Sequence, residues 1–306
     1  MMAATRPILS LVLAAALWAL AAPAAAQIKV VASFSILADM AARVGGDRIV
    51  IASLVGADTD SHSYEPRPAD LRIIASADLI VANGLGFEPW LDRLIRASGY
   101  TGTVVAASDG AKLRNLGNAA DRGDRRDIQT PPDPHAWQDL ANAQIYVGNI
   151  AAALTRADPG GAGDYAAAAA AYRAEIADLD AWVRREIAAV PANKRKVISS
   201  HDAFGYFAEA YGVNFLSPAG LSTAREPSAR EVANLIRQIR RDGVRALFVE
   251  NIADGGLTAR VIAEAGGTIG GALYSDALSG PNGPAPTFLG MVRHNTIALV
   301  RAMARN

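Results

Sequence analysis

The sequence predicts an α/β protein of two lobes with parallel sheets, joined by one long rigid helix. Three observations carry this. Short apolar runs alternate with helical patterns from residue 28 to residue 107. The same alternation returns after residue 195, and an alanine-rich stretch of helical character lies between. Strands separated by helical crossovers pair in parallel, so each half builds its own parallel sheet.

The elements follow in chain order. Arg6 and the amino terminus supply positive charge, Ile8 to Ala22 is apolar, and Ala24-Ala25-Ala26 offers small residues. This is the layout of a cleaved secretory signal peptide, with cleavage before Gln27. The apolar run is shorter than the roughly 20 residues a bilayer span needs. Strands are expected at Lys29–Ser33, Ile49–Leu54, Leu79–Ala82 and Thr103–Ala107, with helices at Ile36–Val44, Arg67–Ser76 and Trp90–Ser98. Pro68 suits a first helical turn, where its missing N–H costs nothing.

Arg114 to Pro134 is polar, holds the tripeptide Arg122-Gly123-Asp124, and reads as a mobile loop. Ala136–Ala157 reads as one helix and Asp164–Ala189 as a second, separated by Pro159-Gly160. The second, about 26 residues or ~39 Å long, can act as a strut between lobes. Further strands are expected at Lys196–Ser199, Val213–Leu216, Ala246–Glu250 and Ile269–Tyr274. Helices should cover Ala203–Tyr211, Ser228–Asp242, Gly256–Ala265 and Phe288–Ala304. The chain then divides into a signal peptide (1–26), a first lobe (27–160), a linking helix (161–190) and a second lobe (191–306).

Composition excludes several functions. Lysine plus arginine and aspartate plus glutamate both total 30, so no net field draws the chain to nucleic acid. Cysteine is absent, which removes disulfides, thiolate ligands, a cysteine nucleophile and a lipid-modified cysteine at the cleavage site. The mature product is expected to be a soluble, monomeric periplasmic protein.

Only four histidines exist: His62, His135, His201 and His294. His62 follows the second strand by a short loop, His201 directly follows Lys196–Ser199, and Asp276 directly follows Ile269–Tyr274. Open parallel sheets bind ligands beyond the carboxyl ends of their strands. His135 opens a helix in Asp133-Pro134-His135-Ala136-Trp137. Three imidazoles and one carboxylate suit tetrahedral zinc. Copper also favours imidazole, while manganese favours more oxygen. A loop histidine taken alone is an ordinary solvated residue, and His294 keeps that reading.

The segments Asp60-Ser61-His62-Ser63-Tyr64-Glu65-Pro66, Asn83-Gly84-Leu85-Gly86-Phe87-Glu88-Pro89-Trp90 and Asp133-Pro134-His135-Ala136-Trp137 resemble the zinc and manganese solute-binding proteins of ABC importers. So do Ser200-His201-Asp202-Ala203-Phe204-Gly205-Tyr206-Phe207, Gly220 to Ser228, and Leu273-Tyr274-Ser275-Asp276. The resemblance implies a metal site in the cleft between the lobes, with His62, His135, His201 and Asp276 as ligands. It implies a membrane permease as partner, no enzymatic step, and handover of Zn2+ as the function. Manganese-type members usually carry glutamate at the third position, so His201 favours zinc. Many zinc-type members carry a histidine-rich loop where Arg114–Pro134 stands. Its absence leaves zinc to arrive from solution or from a separate periplasmic metallochaperone. Two rivals belong to other classes. A zinc hydrolase would need an open metal position and a base, for which Glu65 and Glu250 are nominees. No His-Glu-x-x-His spacing supports it. A metal-dependent adhesin would use its surface instead, and no repeat supports that.

Overall fold

A computed structural model describes residues 27–114, 132–217, 223–224, 228–252, 255–266 and 268–306. The signal-peptide reading, the interior of the Arg114–Pro134 loop with its Arg-Gly-Asp tripeptide, and most of Gly220–Ser228 lie outside these residues. Among the described residues no helix is long and apolar enough to cross a membrane.

The first lobe alternates β1 (Ile28–Phe34), α1 (Ser35–Gly45), β2 (Ile49–Val55), α2 (Pro68–Ala75), β3 (Leu79–Ala82), α3 (Leu91–Ser98) and β4 (Thr103–Ala106). Its four strands are parallel, in the order β2-β1-β3-β4. Apolar runs such as Leu79-Ile80-Val81-Ala82 are buried along their whole length, as strands covered on both faces must be. In α2, Pro68 occupies the first turn and the Asp70 carboxylate accepts the Arg67 backbone N–H at 2.6 Å.

The second lobe repeats the plan with β5 (Lys196–Ile198), α6 (Gly205–Tyr211), β6 (Asn214–Leu216), α7 (Ala229–Asp242), β7 (Ala246–Glu250), α8 (Gly255–Ala265), β8 (Thr268–Leu273) and α9 (Phe288–Met303). Its strands are also parallel, in the order β6-β5-β7-β8. In both sheets the chain leaves its first strand to opposite sides, which opens a crevice between the first and third strands at their carboxyl ends.

Helix α4 (Leu140–Ala157) packs on the first lobe, and the long helix α5 (Ala162–Ala188) connects the lobes. The 27 residues of α5 span ~40 Å. Its buried residues, Tyr165, Ala169, Tyr172, Ile176, Leu179, Val183 and Ile187, recur every three or four positions and form one stripe. That stripe packs on α4, α1 and α9, so one main hydrophobic core runs through both lobes. A second, smaller cluster lies in the second lobe around Leu235, Ile239 and Leu247.

One helix differs from expectation. Ala136–Ala157 is not continuous: a 3-10 turn covers Ala136–Gln138, and α4 begins only after Asp139. Asp139 is extended, and its carboxylate accepts the Ala141 N–H at 2.9 Å, so it caps a new helix. The break turns Trp137 and Gln138 toward the second lobe. There Trp137 Nε1–H and Gln138 Nε2–H both donate to the Ser275 carbonyl, at 3.1 and 3.0 Å.

Candidate metal centre

The four residues singled out by position converge. His62, His135, His201 and Asp276 are all buried, and each places one potential ligand atom within 4.8 Å of the others. His62 Nε2 lies 3.2 Å from His135 Nε2 and 3.3 Å from Asp276 Oδ2. His201 Nε2 is 3.1 Å from Asp276 Oδ2, and His135 Nε2 is 3.6 Å from Asp276 Oδ1. A tetrahedral ion with bonds of 2.0–2.1 Å would hold its ligands ~3.3 Å apart, which these spacings match. His294 is elsewhere, with Nε2 donating to the Ala272 carbonyl at 3.1 Å.

Each side chain is delivered by local structure. His201 leaves the carboxyl end of β5 and Asp276 leaves that of β8. His62 sits in the loop after β2, where Trp90 Nε1–H holds the Ser61 carbonyl at 2.9 Å. His135 is fixed by Asn83 at the end of β3, whose Nδ2 donates to the Pro134 carbonyl at 2.9 Å. Tyr146 Oη–H donates to Asn83 Oδ1 at 2.7 Å, so the amide is satisfied from both sides. The turn after Asn83 needs left-handed backbone at Gly84, Leu85 and Gly86. A Cβ on Gly84 would meet Ala106 and Ser108 at 3.0 Å, so glycine is required there. The turn places the Phe87 ring edge-on to both His62 and His135.

Sequence reasoning missed the groups that aim the rings. Asp133 Oδ1 accepts the backbone N–H of His135 at 3.0 Å and its Nδ1–H at 2.8 Å. Asp133 Oδ2 accepts Arg114 at 2.7 Å. Glu250, nominated above only as a hydrolytic base, accepts the His201 backbone N–H on Oε1 at 2.8 Å. Its Oε2 lies 2.7 Å from His201 Nδ1, a charge contact bent away from ideal hydrogen-bond alignment. A proton on each Nδ1 leaves each Nε2 free to face the centre. The cues were Asp133 two residues before His135 and Glu250 ending a strand.

The electrostatics are those of a cation site. Burial would lower the His135 pKa, but Asp276 and Asp133 outweigh it and raise it to about 9. Burial likewise opposes the charged form of His201, yet Glu250 and Asp276 hold it well above the ordinary range. Burial would raise Asp276, but His135 and His201 hold it well below the usual carboxylate range. Among the described residues, neither oxygen of Asp276 receives an aligned hydrogen bond, and His201 Nε2 has none either. Buried polar atoms left this way call for a positive partner.

Glu88 supports the turn from below. Its Oε1 accepts Ser33 Oγ–H and the Asn83 N–H, each at 2.6 Å, and its Oε2 accepts the Gly84 N–H at 3.3 Å. Burial of the carboxyl raises its pKa to about 7, against the lowering effect of those bonds. The residue as a whole is half-buried, so solvent screens part of this effect. Between the ordinary carboxylate pKa and 7 the folded chain keeps a proton that the unfolded chain has lost. Stability from this group therefore falls as pH rises through that window, by ~2 kcal/mol. Glu88→Gln keeps an oxygen for Ser33 and Asn83 and removes the titration. The metal-free variant is expected to gain on wild type in denaturant melts between pH 5 and pH 7.5. Parallel pH–stability curves would remove Glu88 from this role.

Comparisons with known proteins relate nearly the whole chain and its fold to metal-binding proteins. Residues 30–302 match the family model described as ZnuA, zinc-uptake complex component A, periplasmic. The manganese-binding lipoprotein MntA of Halalkalibacterium halodurans is 29% identical over 280 residues, covering 91% of this chain and 89% of its own. The iron-binding protein YfeA of Yersinia pestis is 32% identical over 268 residues, covering 88% of this chain and 84% of its own. The periplasmic zinc-binding protein TroA from Treponema pallidum superposes with a TM-score of 0.83 at 29% identity, over 91% of this chain and all of its own.

Proposed function

Because the chain belongs to the family of periplasmic zinc-uptake component A proteins, the metal-binding components of ABC importers, we propose that its cargo is Zn2+. The family consists of solute-binding proteins, not enzymes, and works with a membrane permease and an ATPase. In this proposal His62, His135, His201 and Asp276 are the ligands. Residues 1–26 direct export and are removed, and the lobes meet around the metal.

The observation that carries the reading is the convergence of three Nε2 atoms on one buried carboxylate. Relatives carry names for manganese and iron as well as zinc, so family membership alone does not choose the ion. The donor set does. Three imidazole nitrogens and one oxygen favour zinc over manganese, which binds better to oxygen-rich sites. Four protein ligands also leave no coordination position for a reacting water, as suits carriage without chemistry.

Metal analysis of the purified chain, followed by competition titration with Zn2+ and Mn2+, tests the proposal. One tight Zn2+ per chain is expected. His201→Glu replaces a nitrogen with a harder oxygen and sets two carboxylates beside each other at Glu250. Both affinities should drop, and the Zn2+ over Mn2+ preference should shrink by at least about tenfold. An unchanged preference would show that His201 does not select the metal. Tighter wild-type binding of Mn2+ than of Zn2+ would overturn the cargo assignment.

A further inference from the structure

The turn that carries His62 is tied to the opposite lobe by an arrangement that the ligand set does not require. Asp58 is a non-glycine residue in left-handed backbone, with φ of 50°. Such a conformation persists where surrounding contacts over-determine it. Its backbone N–H donates to the Leu278 carbonyl at 2.9 Å. Its Oδ1 accepts Asn251 Nδ2–H at 2.9 Å, and its Oδ2 accepts the Gly280 N–H at 3.2 Å. Two residues on, Asp60 Oδ1 accepts the His62 N–H at 2.8 Å. Asp60 Oδ2 accepts Ser63 Oγ–H at 2.8 Å and Thr223 Oγ1–H at 2.5 Å.

Every second-lobe partner of this turn except Thr223 lies within four residues of Glu250 or Asp276. Asn251 follows Glu250, which holds His201, while Leu278 and Gly280 lie two and four residues beyond Asp276. The two aspartates thus link the backbone of His62 to the segments carrying the other lobe's ligands. Asp58 is exposed, so its bonds compete with water and each is individually weak. Such a set closes cooperatively and still opens without unfolding either lobe.

We propose that the Asp58–Asp60 turn is a cross-lobe clasp that sets how fast the cargo leaves, with Asp58 a positioning residue that acts through His62. This rests on the reading of His62, His135, His201 and Asp276 as metal ligands. When the clasp opens, His62 departs with its loop while the other three ligands keep their places. Loss of one ligand is the cheapest first step in dismantling a four-ligand site. The clasp therefore governs release more than it governs the choice of metal.

Asp58→Gly is the discriminating variant. Glycine adopts the left-handed conformation without penalty, so only the carboxylate is lost. Zn2+ release into excess chelator, followed by stopped flow, is expected to be at least about tenfold faster than wild type. The melting temperature of the metal-free chain should be equal or higher. Amide exchange at Gly280 should accelerate with and without Zn2+. Asn251→Ala should speed release in the same way and add little when combined with Asp58→Gly, because both break one clasp. Release within twofold of wild type, or faster release that tracks a fall in melting temperature, would overturn the proposal. His62→Ala separates the two readings. If it leaves Zn2+ binding unchanged, the ligand assignment fails, and the clasp is then judged by exchange at Gly280, where wild-type protection in Asp58→Gly would sink it.

Discussion

Asp276→Ala is expected to weaken Zn2+ binding by at least about 100-fold, ~2.7 kcal/mol, while leaving the chain folded. Asp276 is the sole anion among the four converging groups and is fully buried. In the metal-free protein its charge is offset by protons on His135 and His201, which is why its pKa lies so low. In the proposed loaded state it would offset the charge of the metal instead. Alanine leaves three neutral imidazoles and room for water, so Zn2+ still binds but with one protein ligand fewer. The fold survives because the main core runs through both lobes and α5 and does not depend on Asp276. Excess Zn2+ should therefore raise the melting temperature of the variant less than that of wild type. At a fixed excess, a 100-fold loss in affinity removes about 2.7 kcal/mol of ligand stabilisation. Asp276→Asn separates charge from geometry, since its amide oxygen can still approach the metal without neutralising it. Its affinity should fall between those of alanine and wild type. Wild-type affinity and release in Asp276→Ala would remove Asp276 from the site.

The architecture was legible because burial on both faces writes parallel strands as short apolar runs. Leu79–Ala82 and Ala246–Glu250 have the bounds read from sequence. The four candidate ligands were legible for a related reason. Few residues can bind a metal, and in this topology strand ends deliver them to one crevice. The break at Asp139 was hidden because Ala136–Gln138 is apolar enough to continue the helical pattern. Only the approach of the Ser275 carbonyl, far along the chain, turns Trp137 and Gln138 toward the second lobe. Glu88 and the Asp58–Asn251 pair were hidden likewise. An aspartate in a polar loop looks solvated until a partner 193 residues away is placed beside it.

Glu250→Gln and Asp133→Asn look equivalent in sequence, yet the structure predicts unequal effects. Both acids steer a histidine proposed as a ligand, and loss of such support commonly costs 10–100-fold in metal affinity. Glu250 meets two donors with two oxygens: Oε1 takes the His201 N–H, and Oε2 faces Nδ1. A glutamine has one oxygen, so its NH2 must point at one of those donors inside a buried site. Either the backbone N–H loses its acceptor or the imidazole turns or changes tautomer, and Nε2 leaves the centre in the second case. Asp133 meets both His135 donors with the single atom Oδ1 and gives Oδ2 to Arg114. Asparagine can keep its oxygen on His135 and turn its NH2 toward Arg114, which also bonds Glu209. Glu250→Gln should therefore lose about 10–100-fold in Zn2+ affinity, and Asp133→Asn less than about tenfold. The metal-free Glu250→Gln chain should also melt lower, because an unmatched buried donor costs about 1–3 kcal/mol. Competition titrations, with imidazole nitrogen NMR spectra to read the His201 tautomer, provide the test. Equal losses in the two variants would show that oxygen count at the acid does not set the orientation of the rings.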